Sequence, residues 1–312
     1  MSSLARIEIV DADCPLCGSG KRRLLLDELI DVEDRVEGRY AISRCEECNL
    51  VYLSRRPTEA TLPLSYLTGY HVMDPVRRNP IVNFLYDLRL RYRCRGFLRS
   101  LGGPCVALLE VGCGDGSFVK ALDGMMPPEC VLTGIDLMVP PMETSPRSRL
   151  QLIQGEFEKV EFPVKYDVVV MFNVLEHLAD PLLSLKKIHE LLKPGGLLLG
   201  EVPNWESLWR KLFPRHWQGL QIPRHQTHFD RPSLRKLLGA AGYDLAEERN
   251  IFDPGDLSVT LCNWITDTLK LSTPPRKAWF YFPVVILSAP LVWLVNVLTR
   301  DSGSMGFVGR KR

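Results

Sequence analysis

The chain has 312 residues, enough for one large domain and a small one. Its 39 basic and 37 acidic side chains leave a formal net charge of +2, which gives no global electrostatic case for nucleic acid. The stretch from Met1 to Asp13 carries Arg6, Glu8 and Asp11 and does not read as a secretory signal, so the nine cysteines are expected to be reduced thiols of a cytoplasmic protein.

Four of the cysteines form two C-x-x-C turns, Cys14-Pro-Leu-Cys17 and Cys45-Glu-Glu-Cys48. Four thiolates from two such turns can close a tetrahedron around zinc, with every position filled by protein. The reading is a structural Zn2+ site in a ribbon-like module with its linker, over residues 1–75. The 27 residues between the pairs exceed the usual ribbon spacing, so a longer hairpin or a small helix is expected there, packed through Leu24 to Ile30. Asp27, Glu28, Asp31, Glu33, Asp34 and Glu37 make this segment acidic, which speaks against an RNA grip. Asn49 to Leu53 reads as a strand, and Tyr66 to Tyr70 as a linker with aromatic anchors.

Ile81 to Leu101 has helical periodicity, with Arg89, Arg91, Arg93, Arg95 and Arg99 read as a solvated face. Val106 to Val111 is an apolar run of strand length. Gly112, Gly114 and Gly116 then turn the chain into a helix from about Ser117 to Leu122. Strand, glycine turn and helix make a nucleotide-binding corner, where a ligand can approach the backbone without meeting a Cβ. Cys130 to Asp136 is a second strand, ending in an acid about twenty residues beyond the glycines, where a carboxylate can accept from ribose hydroxyls. Leu150 to Gln154, Tyr166 to Phe172, Leu197 to Val202 and the region near Tyr243 to Arg249 read as further strands. Helices over Pro181 to Leu192 and Arg231 to Ala241 lie between them, the first stopped by Lys193-Pro-Gly-Gly196. This alternation predicts a parallel sheet with right-handed crossovers.

The series Glu110-Val-Gly-Cys-Gly-Asp-Gly116, Asp136, Gly155-Glu156, Asp167 to His177 and Leu192-Lys-Pro-Gly-Gly196 resembles the motif set of the class I S-adenosylmethionine (SAM) methyltransferases, in order, over about residues 100 to 250. The resemblance implies an α/β, Rossmann-like sheet of seven strands with the last one antiparallel, preceded here by the small zinc ribbon and carrying a hydrophobic C-terminal insertion. It implies that Glu110 and the turn Gly112, Cys113, Gly114 and Gly116 meet the methionine part of SAM, and that Asp136 with Leu137 holds the ribose side. Glu156 and Phe157 would border the adenine, and Asn173 the sulfonium. The cysteine pairs ahead of such a core are similar to those of zinc-domain sugar methyltransferases. That second resemblance points to a glycan or lipid-linked sugar as acceptor. The alternatives are an O-methyltransferase of an isoprenoid quinone or other lipid, an RNA methyltransferase with a zinc ribbon, and a non-catalytic membrane-docked adaptor.

A hydroxyl or carbon acid must lose a proton as it takes a methyl group, and His225 and His177 are the candidate bases, with His228 and Glu176 nearby in sequence. Trp205, Trp209, Phe213 and Trp217 recur every four residues, flanked by Arg210, Lys211 and Arg215. Such a stripe suits either a lid packed on the core or a headgroup-level membrane helix. Ala278 to Thr299 holds 22 residues without a charge, enough to cross a bilayer, which takes about 20. Pro283 and Pro290 argue against a core helix, and basic residues on both flanks argue for insertion from one side. The expectation is a core over 76–252, a membrane-associating insertion over 253–300 and a last strand over 301–312, with Asp256 to Cys262 as a rival for that strand. The enzyme would then be peripheral or monotopic at the inner membrane face, with Trp279, Trp293 and the Trp205–Trp217 stripe at the interface.

Overall fold

The computed structural model describes residues 6–66, 80–101, 103, 105–139, 149–253, 255–299 and 302–312, without the side chains of 80–85. The linker expected over residues 67–70 lies outside these.

The N-terminal segment is a small antiparallel sheet of β1 (Ile9–Asp11), β2 (Arg22–Leu29), β3 (Tyr40–Cys45) and β4 (Val51–Pro57), in the order β1-β4-β3-β2. Long strands rather than a helix fill the space between the cysteine pairs. They face the core through Tyr40, Ile42, Leu50 and Leu53, while Leu24 is exposed. Each C-x-x-C turn is closed by its own backbone, with the Gly18 N–H donating to the Cys14 carbonyl and the Asn49 N–H to the Cys45 carbonyl. Gly18 and Asn49 both have positive φ, the backbone region that glycine and asparagine tolerate best.

Helix α1 (Pro80–Leu101) leads into the large sheet. Its members appear in chain order as β5 (Ala107–Val111), β6 (Val131–Asp136), β7 (Leu150–Gln154), β8 (Tyr166–Phe172) and β9 (Leu192–Pro203). Helix α2 (Ser117–Asp123) follows β5, and α3 (Pro181–Leu191) lies between β8 and β9. Asp180 caps α3, accepting from the Leu183 N–H, and Pro181 opens it. Beyond β9 come α4 (Leu208–Leu212), β10 (Thr227–His228), α5 (Arg231–Ala240), β11 (Tyr243–Ile251), α6 (Gly255–Thr268), α7 (Tyr281–Thr299) and β12 (Ser304–Lys311).

The seven-stranded sheet has the order β11-β12-β9-β8-β5-β6-β7. Strands β5 to β9 are parallel to one another, and β12 runs antiparallel between β9 and β11. This is the seven-stranded sheet with an antiparallel last strand that the resemblance implies. The rival strand, Asp256 to Cys262, is instead part of α6, with Leu257, Val259 and Cys262 all buried. Its residues alternate in type, but nearly the whole segment is enclosed, so alternation does not report a strand here.

The two sheets are joined. β10 pairs antiparallel with β4, through Thr227↔Tyr52 and His228↔Val51, so the chain just after β9 completes the N-terminal sheet. One apolar cluster holds Cys14, Cys45, Cys48 and Tyr52 together with Leu109, Val111, Val202 and Phe229. The acidic segment is clamped as well as solvated. Asp34 meets the buried Arg224 at 2.6 Å, and Glu33 meets Arg276 at 3.3 Å. Buried charges of this kind need such partners.

Two expectations are corrected. The aromatic stripe does not face a lipid surface, because Trp205, Trp209 and Trp217 are buried among Ile42, Leu53, Leu220 and Leu257. The four-residue spacing is real, but it turns the rings inward. The prolines do not break the apolar segment into pieces, for α7 runs through Pro290. Pro283 stands in its first turn, where an N–H would have no helical partner anyway.

Candidate active site

The glycine turn stands at the carboxyl end of β5. The N–H groups of Gly112 and Cys113 both donate to the Ile135 carbonyl, at 2.8 and 3.0 Å. Asp136 clasps the turn: one carboxylate oxygen accepts from the Gly114 N–H at 2.8 Å, the other from the Met138 N–H at 3.0 Å. Gly112, Gly114 and Gly116 all have φ between +56° and +73°. A Cβ on Gly112 would lie 2.2 Å from Val174, and one on Gly116 would lie 2.7 Å from Leu152, so both contacts require glycine.

Glu110, at the end of β5, is buried, and its Oε2 has no hydrogen-bond partner among the described residues. Burial pushes its carboxyl up to about 8, against the opposing pull of Arg93. Arg93 itself pairs with Glu201 at 2.5 Å and lies over the Phe172 ring at 4.5 Å. The helical pattern of α1 gave no reason to single out Arg93 from its neighbours, and Glu201 was hidden in an apolar strand. An orphaned, buried carboxylate oxygen beside a glycine turn suits a cationic ligand group such as an ammonium.

Just beyond β6 and β7, Leu137 is half exposed and Glu156 pairs with Lys159 at 2.8 Å. The Phe157 side chain packs in the core, with the Lys187 ammonium 5.1 Å from its ring centroid. Cys113 is buried, and burial raises its thiol.

The histidines converge beyond the carboxyl ends of β8 and β9. Asn173 has φ +56° and donates from Nδ2 to Glu176 Oε1 at 3.4 Å. Ligand atoms of Glu176, His177 and His225 all lie within 4.8 Å of one another. The His177 and His225 rings meet edge to face with centroids 4.5 Å apart, and His228 is 6.4 Å from His225. Tyr66 brings its hydroxyl to 3.2 Å from His177 Nδ1, a contact the linker reading did not foresee. The Gln226 N–H donates to the Glu176 carbonyl at 2.8 Å, tying the two loops together.

The protonation pattern follows from burial. His177 and His228 are both lowered to about 3, and His225 is held well below the usual imidazole value, all chiefly by desolvation. Glu176 is raised to about 8 by the same cause. His225 Nδ1 lies 2.8 Å from the Gly219 carbonyl, which can only accept, so Nδ1 carries the hydrogen and Nε2 keeps its lone pair. A neutral imidazole with a free lone pair is the form a general base requires.

The four cysteine sulfurs also converge, with Cys14 and Cys48 Sγ 3.4 Å apart and Cys17 and Cys45 Sγ 3.5 Å apart. A tetrahedral Zn–S site has edges of about 3.8 Å, so the donor set fits with a small expansion.

A family model described as a methyltransferase domain matches residues 86–248, just over half of the chain. The chain belongs to this methyltransferase family, and its sheet order and glycine corner are those of the class I, SAM-dependent type. Among curated relatives, it is 32% identical over 136 residues to a ubiquinone biosynthesis O-methyltransferase of Colwellia psychrerythraea, covering 41% of this chain and 52% of that one. It is 26% identical over 208 residues to the Azorhizobium caulinodans protein of the same name, covering 62% of this chain and 79% of that one. The chain thus spans about half the length of the first relative. Among solved structures, a phosphoethanolamine N-methyltransferase 2 of Haemonchus contortus, in complex with S-adenosyl-L-methionine, is similar in fold. Its TM-score is 0.51 at 14% identity, over 83% of this chain and 62% of that one.

Proposed function

We propose that this protein transfers a methyl group from SAM to a hydroxyl of a membrane-partitioned small molecule of the quinone-precursor type. The names of its relatives favour this acceptor over the glycan suggested by the cysteine module. The observation that carries the reading is the neutral His225 imidazole, packed against His177 and Glu176 beside Asn173. SAM, when bound, supplies an electrophilic methyl on a sulfonium. Glu110 would take its ammonium, and the glycine turn with Asp136 would border the nucleoside. His225 Nε2 would accept the hydroxyl proton, with His177 as the second candidate. Tyr66 would orient His177.

Helix α7 supports a lipid-side location. It is 19 residues long, carries no charged side chain, and only Ser288 and Val292 in it are buried. Trp279, Ile286, Leu287, Trp293 and Leu298 are all exposed. Arg276 and Lys277 precede it, in keeping with a monotopic helix at the inner membrane face. Cys14, Cys17, Cys45 and Cys48 would hold a structural Zn2+, steadying the sheet to which β10 and the histidine loop are pinned. The test is to incubate the protein with methyl-labelled SAM and a bacterial lipid extract. Label in an alkali-stable, quinone-type phenol ether supports the reading. Label in a lipid-linked sugar instead, or no label in the organic phase, overturns it.

A further inference from the structure

A second cleft opens between β2, β3 and α4, on the other side of Trp205 from the histidines. Its volume is about 270 Å³, and it is lined by Arg23, Leu25, Leu26, Arg44, Trp205, Arg210 and Pro214. Three of these are arginines, from three different elements. Arg23 and Arg44 stand directly opposite each other across the β2–β3 ladder. Like charges at such a position destabilise a sheet, so the pair is a local cost. Arg23 makes no ion pair with any described residue. Arg44 donates to the Asn49 carbonyl at 3.2 Å, and its ion pairs are long, 3.6 Å to Asp230 and 4.0 Å to Glu206. Arg210 shares Glu206 at 3.9 Å, and Lys211 draws on the same carboxylate at 3.3 Å.

Arg210 is held rigidly. Its Nε donates to the Trp205 carbonyl at 2.7 Å, and its guanidinium lies 4.6 Å over the indole. Burial lowers its pKa, Glu206 opposes that, and the charge on Arg44 adds to it. The cleft is therefore rich in positive charge that its carboxylates do not balance. Planar guanidinium forks match the oxygens of phosphate, and they are fixed here on strands and an indole rather than on free loops. Leu25, Leu26 and Pro214 give the remaining wall an apolar surface, suited to the body of a molecule whose phosphate the arginines hold.

We propose that this cleft binds a phosphate-bearing ligand through Arg23, Arg44 and Arg210. The site is separate from the SAM corner and does not depend on which hydroxyl is methylated. It is one ring away from the histidine cluster, since Trp205 packs 5.2 Å from His228. The ligand chemistry has two sources, a phospholipid headgroup or a soluble or substrate-borne phosphate, and the experiment separates them.

The full-length protein is titrated calorimetrically with inorganic pyrophosphate at low ionic strength. It is also sedimented with vesicles of phosphatidylcholine alone and of phosphatidylcholine with phosphatidylglycerol. Arg23→Glu is compared with Lys186→Glu, an equal charge change at an exposed position of α3. SAM affinity reports that both variants are folded. Pyrophosphate binding at one per chain, weakened at least tenfold in Arg23→Glu and unchanged in Lys186→Glu, supports the site with a soluble phosphate. A preference for phosphatidylglycerol vesicles lost only in Arg23→Glu, without pyrophosphate binding, supports it with a headgroup. Equal behaviour of the two variants in both assays overturns it. Failure of the lipid-extract assay above with this result intact would remove the acceptor reading alone.

Discussion

The cofactor corner and the histidine cluster stand beyond the carboxyl ends of neighbouring parallel strands but are built in opposite ways. The corner is local: Glu110, the glycines and Asp136 come from adjacent strands within about one βαβ unit, and backbone hydrogen bonds fix most of it. The cluster is assembled from afar, with Glu176 and His177 after β8, His225 beyond β9, and Tyr66 from the N-terminal segment. The N-terminal sheet holds the last loop in place by pairing β4 with β10. A local corner can be kept while a remote acceptor side is rebuilt. The two halves should therefore fail independently, and this can be tested by breaking each in turn.

The largest effect is expected at the corner. Gly116→Val places a β-branched side chain at φ +73° and against Leu152, so SAM binding measured by calorimetry should vanish. Next is Cys45→Ser. Loss of a structural metal removes folding free energy of several kcal/mol, so metal content and melting temperature should fall together. Because β10 rests on the same sheet, methyl transfer should drop more than SAM affinity does. An unchanged zinc content, or a variant as stable as the parent, would remove the metal from the account.

Leu287→Glu, on the exposed face of α7, should weaken vesicle binding by roughly 2–3 kcal/mol, the usual scale for a charge in an apolar span, while SAM affinity stays as it was. Vesicle binding equal to the parent's would mean that α7 does not meet lipid. The smallest effect is in pH. Glu110 has a folded pKa near 8, above its ordinary value, so it is protonated at neutral pH and ionises as the pH rises. SAM affinity should therefore climb between about pH 7 and 9, and Glu110→Gln should flatten the curve. Stability without ligand runs the opposite way: the contribution of Glu110 and Glu176 is fully present below their ordinary value of 4.5 and is lost as the pH rises to about 8.

The contrast also explains what the sequence disclosed. The glycines, Asp136 and the cysteine pairs carry spacing, and spacing survives without a fold. β12 was legible because a glycine-rich, alternating tail matched the last strand of the resembling sheet. The Trp205–Trp217 spacing was equally visible, yet a four-residue period states which residues share a face and not what that face meets. Asp31, Glu33 and Asp34 showed in the sequence only as an acidic run, because their partners, Arg224 and Arg276, lie about two hundred residues away or more. Arg93 with Glu201, and Tyr66 with His177, were hidden for the same reason.

The most direct test of the two-part account is His225→Asn, with SAM affinity and methyl transfer into lipid extract measured on one preparation. The account predicts SAM binding within about twofold of the parent and transfer reduced about 10²–10⁴-fold, the usual contribution of a general base. Wild-type transfer in this variant would show that His225 takes no proton. A parallel loss of SAM binding would show that the two halves are not separable.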